Sequence, residues 1–301
     1  MLEEHTNRLP NEDEIDLKEL FYILLGGKWI IIFVTTFISI IGVIFSLLLP
    51  DIYESKALLV PVNSSNSISS SLGSYGGLAG LAGINLSPNG SDVGNSVKAT
   101  KKIISLSFFE NNILPNIYLP DLMAVKSWDS ETNTIVYDED IYNTDTNTWV
   151  INQSAQESFS EFSKKLILSQ DKGSGFSILS INHQSPFIAK QWVELIVNEV
   201  NNFYRQKDKL ESEKAANYLN IQISMTGLTE IKQVLAELLQ EETKKLALIE
   251  ANQFYVFDYI DPPAVMEKKS APSRAIICII SSLIGGMLGI LLVLIRRYVF
   301  S

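Results

Sequence analysis

Two uncharged apolar runs, residues 29–49 and 275–295, bracket almost everything else in this chain. An α-helix needs about 20 apolar residues to cross a hydrocarbon core of roughly 30 Å. Lipid offers backbone amides no partner, so each run is expected to be a helix. Together they predict a two-span hairpin whose long middle segment lies on one side of the membrane.

A secretory signal peptide competes for the first run. Its flank carries Glu12, Asp13, Glu14, Asp16 and Glu19 in place of a basic region, and the run exceeds the roughly 7–15 residues of a signal's apolar segment. The sequence therefore reads as an anchor. Before it, in the tail 1–28, Ile15, Leu17, Leu20, Phe21, Ile23 and Leu24 repeat at helical spacing, as an amphipathic turn on the membrane surface or a plain lead-in to the span. Charge does not orient the hairpin. Lys18, Lys28, Arg296 and Arg297 on one side face Lys56, Lys268, Lys269 and Arg274 on the other, and long loops translocate largely regardless of charge. Arg296 and Arg297 abut the second run whereas the first exits into Pro50 and Asp51, which favours the middle domain outside and residues 1–28 and 296–301 inside.

A formal net charge of -10 argues against nucleic acid as a partner and against anionic lipid as a partner of the domain as a whole. The only cysteine, Cys278, lies in the second run, so no intrachain disulfide braces the middle. Its about 220 residues suffice to bury a core of their own.

After the first span, YESKALLVPV at 53–62 reads as a strand. Residues 63–95, rich in Ser, Gly and Asn around GGLAGLAGI at 76–84, read as a flexible loop. They lack the Gly-Lys-Ser/Thr of a phosphate-binding loop. Residues 96–114 predict a helix carrying Val97, Ile103, Ile104, Leu106, Phe108 and Phe109, stopped by Pro115. Strand-like pieces such as 134–137 follow. Asp138, Glu139 and Asp140 suggest a calcium loop, but the glycine and distal glutamate of an EF-hand are missing and an ordinary acidic turn is favoured. Next come a helix over 157–167 and a strand over 176–183, after which Ser185 and Pro186 supply an N-cap and a first-turn proline.

Apolar residues then recur every three or four positions through 185–252, interrupted at Gly227. The chain must return to the membrane by Ala275, through a strand over 254–260 and a proline-rich link ending at 274. The far tip of a helical hairpin is therefore placed near Gly227, with one unbroken helix as the alternative. The whole is an α+β arrangement: two transmembrane helices flanking a mixed base, 50–184, and a long helical projection.

His5 and His183 are the only histidines, too few for a histidine metal site or a Ser-His-Asp triad. No spacing singles out a carboxylate pair, so no catalytic residue, metal or cofactor is expected.

The order and spacing of several segments resemble the Wzz-type polysaccharide co-polymerases, or chain-length determinant proteins. These are IDLKELFYILLGGKW at 15–29, YESKALLVPV, GGLAGLAGI, SINHQSPFIAKQWVELIVNEVN at 180–201 and DPPAVMEKKSAPSR at 261–274. The resemblance implies an inner-membrane protein of Gram-negative type with a periplasmic α/β base and a helical projection. It also implies a ring-shaped homo-oligomer that works with a Wzy-type polymerase, and with the growing polysaccharide as a further contact, to set O-antigen or related chain length. Some relatives carry a cytoplasmic tyrosine kinase; this sequence ends six residues past its second span and resembles the kinase-free branch. The alternative is a membrane-anchored scaffold of a capsule or exopolysaccharide exporter working with a separate kinase.

In the second span Ser281, Gly285 and Gly289 recur every four residues as a small-residue face. It suits the first span near Gly42, a neighbouring protomer, or a polymerase. Pro262, Pro263 and Pro272 are read as a stiff spacer into that span.

Overall fold

The computed structural model describes Tyr22 and residues 24–62, 92–170 and 176–299, and of 92–95 and 297–299 the backbone only. Most of the expected surface turn at residues 15–24 and nearly all of the loop 63–95 lie outside the described residues. The chain divides into two units, Met1–Pro50 with Ala271–Ser301, and Asp51–Ser270.

The first unit is a pair of helices, α1 (Lys28–Leu48) and a later partner, α6 (Arg274–Val299). Both have the length and hydropathy of membrane spans, over Lys28–Leu48 and Arg274–Arg296.

The second unit mixes helix and strand. β1 (Tyr53–Pro61) is central in a four-stranded antiparallel sheet of order β6-β7-β1-β8, formed with β6 (Leu166–Gln170), β7 (Ser177–His183) and β8 (Phe257–Asp261). The pairing of Tyr53 with His183 puts the start of β1 beside the end of β7. Alternation along β1 sends Ala57 and Leu59 inward, to meet Leu179, Ile181 and Phe257, all fully buried. Before β6 come α2 (Asp92–Ile103), a run of short helical turns, and two small hairpins. These are β2 (Val125–Asp129) with β3 (Thr134–Tyr137), and β4 (Tyr142–Asn143) with β5 (Thr148–Trp149). α3 (Ala155–Lys165) opens with a reciprocal capping box between Ser154 and Glu157.

Two long helices follow, α4 (Pro186–Met225) and α5 (Thr229–Ala251). The 40 residues of α4 span about 60 Å. Its first half covers the sheet, burying Ala189, Trp192, Val193, Ile196, Val197 and Val200 at the i, i+3, i+4 positions of one stripe. An aromatic chain continues that core. Phe162 lies 5.0 Å from Phe109 and 6.0 Å from Trp192, and His183 lies 5.2 Å from Trp192, ring centre to ring centre.

The structure departs from the sequence reading in five places, the first being residues 92–95, expected in the loop, which open α2. The helix expected over 96–114 breaks at Ser105, whose hydroxyl caps a new turn by accepting from Phe108 N–H at 3.3 Å, and a wide π-type turn follows over Phe109–Ile113. Successive residues point about 100° apart on a regular helix, and the restart with its wider turn buries both Phe108 and Phe109. The helix expected to reach Ile167 stops at Lys165, because Leu166 to Gln170 pair with β7. Ser185 is the N-cap residue of α4 but its side chain makes no capping bond; its N–H donates to His183 Nδ1 at 2.9 Å. Finally, the return strand starts at Phe257, since the residues just before it are held by α4.

Candidate functional site

The spans meet along small residues. Gly42 lies so close to Ser281 that a methyl group there would collide with the Ser281 side chain, and Gly27 stands in the same relation to Val293. A Cβ on Gly285 would fall 2.9 Å from Thr35 Cα, and one on Gly289 2.9 Å from Ile31 Cα. The contacts advance along α1, at 27, 31, 35 and 42, as they retreat along α6 by four residues at a time, so the helices are antiparallel and share one seam. Gly42 and Ser46 on α1 and Gly285, Gly289 and Val293 on α6 are buried in it. Without side chains to hold the backbones apart, dispersion contacts accumulate along the whole length. The structure thus brings Gly42, Ser281, Gly285 and Gly289 together within one chain, while Phe33, Phe37, Ile279, Leu283 and Met287 stay exposed on the outer faces.

In the second unit, the titratable groups that lie deepest serve the fold. His183 Nδ1 accepts from the Ser185 amide, so Nε2 carries the proton and donates to Asp121 O at 2.8 Å. Burial pushes its pKa down to about 4, leaving a neutral ring with both nitrogens engaged. Tyr137 O–H donates to Asp121 Oδ1 at 2.6 Å, and burial raises the pKa of both groups. Tyr118 and Tyr142 share a hydroxyl bond of 2.7 Å beside them. Asp138 accepts from Asp140 N–H in an ordinary acidic turn, and no cluster able to hold a metal ion occurs among the described residues.

The polar residue with the largest structural role is Asn201, which sequence reading did not single out. Its Oδ1 receives the N–H groups of Tyr255, Val256 and Phe257 at 3.2, 2.7 and 3.0 Å, and its Nδ2 donates to Phe257 O at 2.9 Å. Arg205 donates to Asn252 O and Gln253 O, and Tyr255 O–H donates to Asp208 at 2.6 Å. One face of α4 therefore holds the chain as it comes back from α5. The available signal was an asparagine four residues after Val197, on the apolar stripe.

Beyond that clasp the two long helices pair along a narrower seam. On α5 Ile249 is buried and Leu235, Leu239, Glu242 and Leu246 are half-buried, three to four residues apart, and Lys209 pairs with Glu250 across the helices. Gly227 sits at the turn between α4 and α5, in the three residues Thr226, Gly227 and Leu228. Tyr218, Ile221, Met225 and Leu228 are exposed toward that end. Acids on α4 pair with lysines one turn away, Glu194 with Lys190 and Glu211 with Lys207.

The link after β8 is fastened to the start of β1. Pro263 is buried, and the next carbonyl, of Ala264, accepts from Ser55 Oγ at 2.8 Å. Further on, Ser270 N–H donates to Ile52 O at 2.8 Å and Lys269 pairs with Asp51 at 2.9 Å. Pro262 is exposed beside Pro263, and Pro272 falls in the unit of the spans.

No curated protein matches this sequence. Among solved structures, a full-length bacterial polysaccharide co-polymerase is similar at 14% sequence identity and a TM-score of 0.45, over 94% of this chain and 98% of that one. Residues 13–105, from the acidic lead-in through α1 and β1 to Ser105, match the family model described as Wzz, chain length determinant protein.

Proposed function

We propose that this chain sets the length of a surface polysaccharide, O-antigen or a related polymer, as a non-enzymatic co-polymerase. The observation that carries the reading is the match of residues 13–105 to the chain length determinant family. Two candidate spans bracketing a mixed helix and strand unit support it. In this reading the spans lie in a bacterial inner membrane with both termini cytoplasmic. The large unit is periplasmic, and copies associate in a ring beside a Wzy-type polymerase.

A protein without catalytic groups can alter a polymerase by holding it or by offering the glycan a surface. The seam of Gly42, Ser281, Gly285 and Gly289 fixes the spans as one body and leaves its larger side chains for lipid or for the polymerase. The clasp at Asn201 holds the chain returning from α5 against α4, where that chain enters the sheet as β8. Capture of the full-length chain from gently solubilised native membranes tests the reading: it predicts a multi-copy complex that contains the polymerase. A complex containing a tyrosine kinase and no polymerase would favour the export scaffold instead.

A further inference from the structure

We propose that Tyr53, Trp128 and Phe187 form an aromatic anchor that enters the lipid headgroup layer. The three come from different elements, the first residue of β1, the fourth residue of β2 and the first turn of α4. Tyr53 and Trp128 meet edge to face at 5.3 Å, and Trp128 and Phe187 lie 6.3 Å apart. Phe187 is 46% exposed, and Trp128 and Tyr53 are half-buried. The pairing of Tyr53 with His183, three residues before Pro186, is what gathers them at one end of the sheet.

A single exposed phenylalanine is ordinary on a soluble surface. The covalent chain gives this cluster a particular neighbour. Tyr53 is the fifth residue after Leu48, within roughly 18 Å of the end of the first span. Ser270, bonded to Ile52, precedes Arg274 by four residues, so its tether to the second span is at most roughly 14 Å. Both tethers converge on the end of β1 that carries the cluster. Of the nearby charges, Asp51 is paired with Lys269, the Asp129 carboxylate accepts from Thr132 Oγ1 and the Glu131 amide, Glu54 flanks Tyr53, and Lys126 is exposed on the strand of Trp128. The Trp128 indole N–H already donates to Asn133 Oδ1 at 3.0 Å, which lowers the cost of moving it out of bulk water. Tryptophan and tyrosine prefer this boundary because an apolar ring and a polar edge are both satisfied there.

The test uses nitroxide labels on the full chain in phosphatidylethanolamine and phosphatidylglycerol vesicles, in a Cys278→Ala background, read by collision with oxygen and with a water-soluble nickel chelate. Labels at Phe187→Cys and, as an independent probe, Lys126→Cys are compared with Ile284→Cys in the second span. Glu211→Cys, roughly 36 Å further along α4 than Phe187, is the aqueous reference. The proposal predicts that oxygen-to-nickel ratios at 187 and 126 lie between those references and several-fold above Glu211. Ratios at 187 and 126 equal to Glu211, with Ile284 protected, overturn the anchor and leave the spans standing; immobilisation of those labels by oligosaccharide from the host's surface polymer would then make the cluster a glycan platform. A water-accessible Ile284 would defeat the two-span reading itself and the anchor with it.

Discussion

Replacing Asn201 with leucine removes the acceptor for three backbone N–H groups and the donor to one carbonyl while keeping the side chain's approximate volume. A buried polar group left unpaired costs about 1–3 kcal/mol, and replacing one partner strands all the groups on the other side. The three N–H groups share one oxygen, so their bonds are not worth three independent ones, and Tyr255 N–H, the longest at 3.2 Å, is only partly buried. Local destabilisation of about 3 kcal/mol is a conservative figure, equivalent to roughly 100-fold in the opening equilibrium of the returning segment. Hydrogen exchange of the full chain in nanodiscs, read by mass spectrometry, reports this directly. Amides of 255–257 should exchange roughly 100-fold faster in Asn201→Leu, while amides of β1 change much less and the exposed neighbour Asn198→Ala changes neither. Wild-type protection at 255–257 in Asn201→Leu would refute the clasp and with it the claim that α4 fixes the path of the returning chain.

Gly285→Leu should force α1 and α6 apart at Thr35, at about 1–3 kcal/mol for an overfilled contact. The expected readout is a several-fold lower yield of oxidative cross-linking between cysteines at positions 35 and 286 in a Cys278→Ala background; an unchanged yield would contradict the seam. Ser154→Ala removes the capping box of α3 and should cost about 1 kcal/mol, lowering the thermal midpoint by a few degrees in calorimetry, with no change counting against the cap. His183 titrates at about 4 in the fold against an ordinary 6.5, so the unfolded chain takes up its proton first and stability falls as pH drops from 6.5 toward 4. The loss is worth roughly 3 kcal/mol at the bottom of that window. Asp121, raised by burial, acts in the opposite sense at the acid end, and comparing wild type with His183→Gln cancels it. The variant should show a shallower fall of thermal midpoint with acidification, and equal slopes would contradict a buried neutral His183.

Features whose cause lies within a few residues were legible in the sequence. The spans needed only apolar length, β1 only its richness in strand-forming residues, and the start of α4 only Ser185 and Pro186. Features decided by distant partners were not. Leu166 to Gln170 follow α3 with no glycine or proline between them, and become a strand only because β7 offers an edge. The break at Ser105 interrupts a run whose apolar spacing reads straight through it, because burying adjacent phenylalanines is a tertiary demand. The small residues of the second span were visible at positions 281, 285 and 289. Their partners Thr35 and Ile31 were not, since packing between two apolar helices is set by shape and leaves no pattern in residue type.

The most direct test is the size distribution of surface polysaccharide from the native host, on a gel, with the gene deleted and then restored. The account predicts that deletion replaces a clustered set of lengths with an unregulated spread and that restoration recovers the cluster. An unchanged distribution would contradict a role in chain length, and loss of all polymer with accumulation of its lipid-linked precursor would assign the chain to export.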